Sequence, residues 1–163
     1  MAKFYFLVLY KMSADNFAVG LLGTGTLQAG ATLIPGVAFM SQVIPATTNN
    51  NAFVLPSNPT LGRPYEIRND GAVWAQVFPP NAGGTGQINN FGIGNSVPIG
   101  VGAVLRIVAY TSAQWYVLSY TGNAPVIPTT GGSTCAAQYS GCIMSVSQGA
   151  GGTITLPAPS PGL

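Results

Sequence analysis

Residues 64–79, PYEIRNDGAVWAQVFP, govern how the rest of the chain is read. Tyr65 and Ile67 alternate with Glu66 and Arg68; after a four-residue break, Val73, Ala75 and Val77 alternate with Trp74, Gln76 and Phe78. A period of two marks a strand packed on a sheet, because successive side chains leave a strand on opposite faces. Between the runs stands Asn69-Asp70-Gly71-Ala72, and Asp-Gly supplies the positive-φ residues of a tight type I′ turn. The spacing predicts a hairpin of strands 64–69 and 73–79.

The sequence around it uses the same vocabulary of short, β-branched apolar runs bounded by Gly, Pro and Asn. Further strands are predicted at 3–12, 26–34, 38–44, 51–56, 86–92, 96–100, 103–111 and 114–121. The last two make a second hairpin over Thr111-Ser112-Ala113, with Trp115, Val117 and Ser119 on one side and Tyr116, Leu118 and Tyr120 on the other. Helical periodicity is confined to MSADNFAVGLL (12–22), where Ser13 would cap about two turns before Gly20 and Gly23 intervene. The fold class expected is all-β, a β-sandwich or jelly-roll-like module.

An internal repeat divides the chain. MSQVIPATTNNNAFVLPSNPTLG (40–62) and MSVSQGAGGTITLPAPSPGL (144–163) share a Met-Ser start, a polar tract and a strand ending in Leu-Pro. The organisation expected is an extended apolar N-terminal arm over 1–36, a module over 37–120, a Pro/Gly/Thr-rich linker over 121–135 and the start of a second, incomplete module over 136–163. The arm is assigned to anchoring, since a strand such as FYFLVLY (4–10) left unpaired would aggregate.

Composition narrows the function. Charged residues make up only 5% of the 163 and apolar ones 47%. A soluble monomer keeps roughly a quarter or more of its surface charged, so this surface is expected to be covered by copies of the chain or by other proteins. The five basic residues do not form a stripe that could track phosphates, and nucleic acid is not an expected partner. No apolar run reaches the roughly 18 residues that span a bilayer, so no membrane partner is expected either.

The absence of histidine removes Ser-His and Cys-His nucleophiles and His-ligated metal sites. Glu66 and Asp70 stand four residues apart, about 13 Å of extended chain at about 3.3 Å per residue, further than the carboxylate pair of a glycosidase. No catalytic, cofactor or metal site is therefore predicted, and Asp70 reads as a turn former. The glycine-rich GTGTLQAG (23–30) and GGTGQ (83–87) read as turns, since neither ends in Lys-Ser/Thr nor opens a helix. Trp74, Trp115 and Tyr116 are the candidate interface or ligand-stacking residues. Cys135 and Cys142, with six residues including QYSG between them, read either as a hairpin disulfide or as two free thiols.

The order Leu55-Pro56, then Gly62 and YEIRNDGA (65–72), VFPPNAGGTGQIN (77–89) and GAVLRIVAYTSAQWYVLS (102–119) resembles a β-rich module of tailed bacteriophages and related large DNA viruses. That module occurs in head fibres, capsid decoration proteins and tail-fibre domains. The resemblance covers about 53–119; the PPNAGGTG loop is longer here and no receptor-binding tip is visible. It implies a non-catalytic virion structural protein on a capsid or tail surface. Such a protein assembles as a homotrimer and contacts the major capsid protein or another virion protein, here through residues 1–36. An extracellular carbohydrate-binding or adhesive module, with a host-surface glycan as partner, fits the composition as well. An exposed aromatic pair over a polar groove would distinguish it.

Overall fold

The computed structural model describes residues 17–23, 25–36, 40–45, 51–81, 83–89, 91–123, 126–130, 143–147 and 155. These residues are all-β, with one short 3-10 turn at Gln28–Gly30. The strands are β1 (Phe17–Gly23), β2 (Thr32–Leu33), β3 (Met40–Pro45), β4 (Asn51–Val54), β5 (Pro64–Asn69), β6 (Ala75–Phe78), β7 (Gln87–Ile88), β8 (Val97–Ile99), β9 (Val104–Ala109), β10 (Gln114–Thr121), β11 (Val126–Thr130) and β12 (Ile143–Ser147).

They form a six-stranded sheet in the order β1-β3-β5-β9-β10-β7, a four-stranded sheet β2-β4-β6-β8, and a separate pair β11-β12. From β1 to β6 the chain alternates between the two larger sheets. Each return lays the new strand parallel to the previous one in that sheet: β1, β3 and β5 in one, β2, β4 and β6 in the other. From Phe17 to Phe78 the described residues thus form three stacked coils, each giving one strand to each sheet. From β7 the chain reverses: β8 is antiparallel to β6, and β9 to both β5 and β10.

The predicted hairpin of 64–69 with 73–79 does not form. Strand β5 pairs with β3 and β9, whereas β6 belongs to the other sheet, between β4 and β8. The cause lies in the corner. Neither Asp70 nor Gly71 has a positive φ, so the type I′ turn is absent. Instead the Gly71 N–H donates to Asn69 Oδ1 at 2.9 Å, an Asx turn that bends the chain out of the first sheet. The Asn69 amide nitrogen donates to the carbonyls of Val73 (2.9 Å) and Ile99 (3.0 Å), tying the corner to β8. Burial agrees with this placement: β5 alternates, but all four residues of β6 are buried.

The second predicted hairpin does form, β9 against β10, with the N–H groups of Ala113 and Gln114 donating to Thr111 Oγ1. An irregularity between Val117 and Ser119 shifts the facing of residues after it. Tyr120 consequently packs against the core, not on the side of Tyr116, and its hydroxyl accepts from the Gly100 N–H. Phe17–Gly23, most of it read as the end of a helical turn, is a strand, and of 26–34 only Thr32–Leu33 is strand. Within the stretch 1–36 read as an arm, β1 and β2 are the outer strands of the two sheets and Ile34 is fully buried. Within 121–135, read as a linker, Val126–Thr130 is a strand. Pro98 sits in β8, at the edge of the four-stranded sheet among the described residues, where proline is tolerated.

One core cluster takes residues from both larger sheets. Val43, Tyr65, Ile67, Leu105, Ile107 and Trp115 come from the six-stranded sheet; Phe53, Val77 and Ile99 come from the four-stranded one. Tyr65 and Trp115 meet edge to face at 5.3 Å between ring centroids. The Tyr65 hydroxyl donates to the Gly36 carbonyl at 2.7 Å and accepts from the Thr60 N–H at 3.0 Å, so a buried ring pins two loops. The loop after β6 returns so closely that a Cβ on Gly86 would collide with the Pro80 carbonyl.

Candidate functional site

The structure separates the three aromatic residues singled out from the sequence. Trp115 is fully buried and Trp74 nearly so, whereas Tyr116 stands 42% exposed on the outer face of β10. Alternation along β10 has this effect, turning Trp115 toward the core and its neighbour away. The indole N–H groups of Trp74 and Trp115 are buried with no acceptor in reach among the described residues. Cys135 and Cys142 lie outside the described residues.

Tyr116 is joined by a residue the sequence reading did not single out. Tyr110, 70% exposed at the end of β9, meets it edge to face at 6.2 Å between ring centroids, with the planes at 69°. Register explains the meeting: Trp115 faces Ala109 and Tyr116 faces Val108, so Tyr110 and Tyr116 are diagonal neighbours on one face. Val108 in turn lies opposite Pro64 of β5, and exposed Leu118 continues the patch along β10. The diagonal could have been found by carrying the predicted hairpin register through to its turn.

The charged residues described all lie on β5, its flanks and β9. Glu66 is opposite Arg106 in the register, and Arg68 Nε meets Asp70 Oδ1 at 2.6 Å. With Arg68 63% exposed, that ion pair is worth at most about 1 kcal/mol. The strands of the first two coils, β1 to β4, carry no charge, and neither does any residue after Arg106.

The start of the coil stack has its own character. Among the described residues β1 pairs only with β3, and β2 only with β4, so both sheets end at the same coil. Leu22, Leu27 and Leu33 are each more than half exposed there. Thr32 Oγ1 donates to the Leu22 carbonyl at 2.7 Å within this coil, and Asn51 Nδ2 donates to the Gly23 carbonyl at 3.0 Å, holding it to the next one. Beside β2 and β4 opens a cleft of about 400 Å3, lined by Gln28, Ala31, Leu33, Val54, Ser57 and Asn81 among others. Its lining has no titratable group, and Gln28 spends an amide hydrogen on the Pro79 carbonyl at 2.7 Å. Such a cleft can hold a neutral molecule by contact and amide hydrogen bonds, and supplies no general acid or base.

No three His, Cys, Asp or Glu side chains come together among the described residues. No protein-family model matches the chain, and no curated protein sequence matches it.

Proposed function

We propose that the protein is a structural component of a virion, a capsid-attached fibre or decoration protein, whose two larger sheets face one another as a sandwich begun by stacked coils. The observation that carries this reading is the coil stack itself, which among the described residues ends in two sheet edges and three exposed leucines without a charged residue. A free domain blunts such an edge with charge, proline or a covering element, and a solenoid-like stack needs a polar terminal repeat to stay dispersed. A surface of this kind is built to be covered in an assembly. The resemblance of 53–119 to modules of phage fibres and decoration proteins points the same way and suggests a homotrimer. Attachment to the major capsid protein or another virion protein is assigned to residues before Phe17, because β1, β2 and Ile34 are already committed to the sheets and core.

The test is the native mass of the purified protein by light scattering at micromolar concentration, together with its co-purification with particles. A trimer that sediments with capsids or tails supports the reading; a monodisperse monomer that never does so refutes it.

A second reading rests on the exposed Tyr110–Tyr116 pair, a surface suited to stacking on a sugar ring, as a carbohydrate-binding or adhesive module requires. Binding to a glycan panel that Tyr110→Ala and Tyr116→Ala abolish together, with no association with particles, would favour it.

A further inference from the structure

Strands β11 and β12 repeat the arrangement of the first coils. Met144 and Ser145 open the second copy of the repeat as Met40 and Ser41 open the first. Each pair lies in a strand that runs parallel to the strand before it in the same sheet: Met40 faces Phe17 and Met144 faces Ile127. Strand β12 therefore stands to β11 as β3 stands to β1. In the main stack β3 is flanked on its far side by the parallel strand β5. Among the described residues β12 has no such neighbour, and the pair forms a sheet of its own. A two-stranded unit is marginal in water.

The molecule thus presents two complementary deficits. The place before β1 is unfilled among the described residues, and so is the place after β12. We propose that the β1/β2 end of one copy is covered by the β11–β12 pair of a second copy, with β12 adding parallel to β1, so that copies join head to tail by strand addition. The resulting order, β11 and β12 of one copy followed by β1, β3 and β5 of the next, is one continuous parallel sheet. A single operation satisfies both edges. Neither side carries a charged residue, so nothing ionic is desolvated, and Leu22, Leu27 and Leu33 are the apolar surface available for burial. A contact of this kind joins two different surfaces, which closes a ring when the rotation permits and otherwise propagates a filament. A closed ring of three is compatible with the homotrimer of the reading above, and the inference rests on that reading for self-association.

The full chain with Cys135→Ser and Cys142→Ser provides the background for the test. One pool carries Leu22→Cys, at an exposed position of β1; the other carries Ser147→Cys, at the end of β12. Mixed and treated with a short bis-maleimide, the two pools are expected to yield cross-linked dimers containing one of each, while neither pool alone gives comparable product. As a second variant, Leu22→Lys places a charge in the contact without touching the core. It is expected to keep the parent's β-sheet circular dichroism and a cooperative melt, and to show the native mass of a single chain at concentrations where the parent is assembled. Absence of the mixed dimer, a dominant Leu22→Cys homodimer, or a cross-link within one chain when both cysteines are placed in it at high dilution would each overturn the inference. If those results came with an oligomer that still joins particles, only the head-to-tail contact would fall. A monomeric parent would remove the assembly reading as well.

Discussion

Replacing Asn69 tests the reasoning that separates this fold from the hairpin its sequence suggests. Asn69 has no exposed surface. Its amide donates to the Val73 and Ile99 carbonyls and its oxygen accepts from the Gly71 N–H, at 2.9, 3.0 and 2.9 Å respectively. Its backbone bonds to Ala103 and Gly102 survive any change of side chain. Asn69→Ala removes three hydrogen bonds and orphans one N–H and two carbonyls at a corner closed by β8. With about 1 kcal/mol net for each bond and more where a buried group is stranded, the expected loss is about 3–5 kcal/mol. In a chain of this size each kcal/mol moves Tm by about 2–4 °C, so the melt should fall by about 6–20 °C.

Asn69→Asp sharpens the test. It keeps the acceptor for Gly71 but aims a carboxylate oxygen at two carbonyls, so the native state favours the neutral acid and raises its pKa above the unfolded value of about 3.9. The sign follows: the penalty is smallest below that value, where the acid donates one hydrogen bond, and grows as pH rises through the higher native value. Urea and thermal melts of the three proteins at pH 4 and pH 7 read both effects. A loss below about 1 kcal/mol for Asn69→Ala, or an Asn69→Asp penalty that does not grow between those pH values, would refute the account of the corner.

Trp115→Ala empties the centre of the core beside Tyr65 and is expected to cost about 3–5 kcal/mol by denaturant melt. Tyr116→Ala, one residue along the same strand but facing outward, should change the same melt by less than about 1 kcal/mol. Gly86→Ala forces a methyl group into the Pro80 carbonyl and should lower stability measurably, whereas a Ser at exposed Thr85 should not. Native mass is expected to be the same in dilute buffer and at about 1 M salt, since screening acts on charges that the joining surfaces do not have; dissociation with rising salt would contradict a charge-free contact.

The sequence by itself determined the all-β character and the strands at Pro64–Asn69, Val104–Ala109 and Gln114–Thr121; it missed the strands at Phe17–Gly23 and Val126–Thr130 and the burial of both faces of Ala75–Phe78. A period of two over Tyr65–Arg68, and short runs closed by Gly and Pro, are local properties, and at these strands the backbone follows them. It also determined the β9–β10 hairpin, because Thr111 closes that turn with its own hydroxyl, and it revealed the Met-Ser repeat. Tertiary structure alone decided which strand lies beside which. Alternation tells which side chains point inward but names no partner, and Asp70-Gly71 is compatible both with a tight hairpin and with a corner between sheets. Buried Asn69, bonding to a carbonyl thirty residues away in β8, selects the corner. The same limit held at the candidate surface. That Tyr116 faces away from Trp115 was legible from neighbouring positions in one strand. That Tyr110 meets it depended on cross-strand register, and that both sheets end at β1 and β2 among the described residues depended on the stacking of coils, neither of which is a property of any short stretch of sequence.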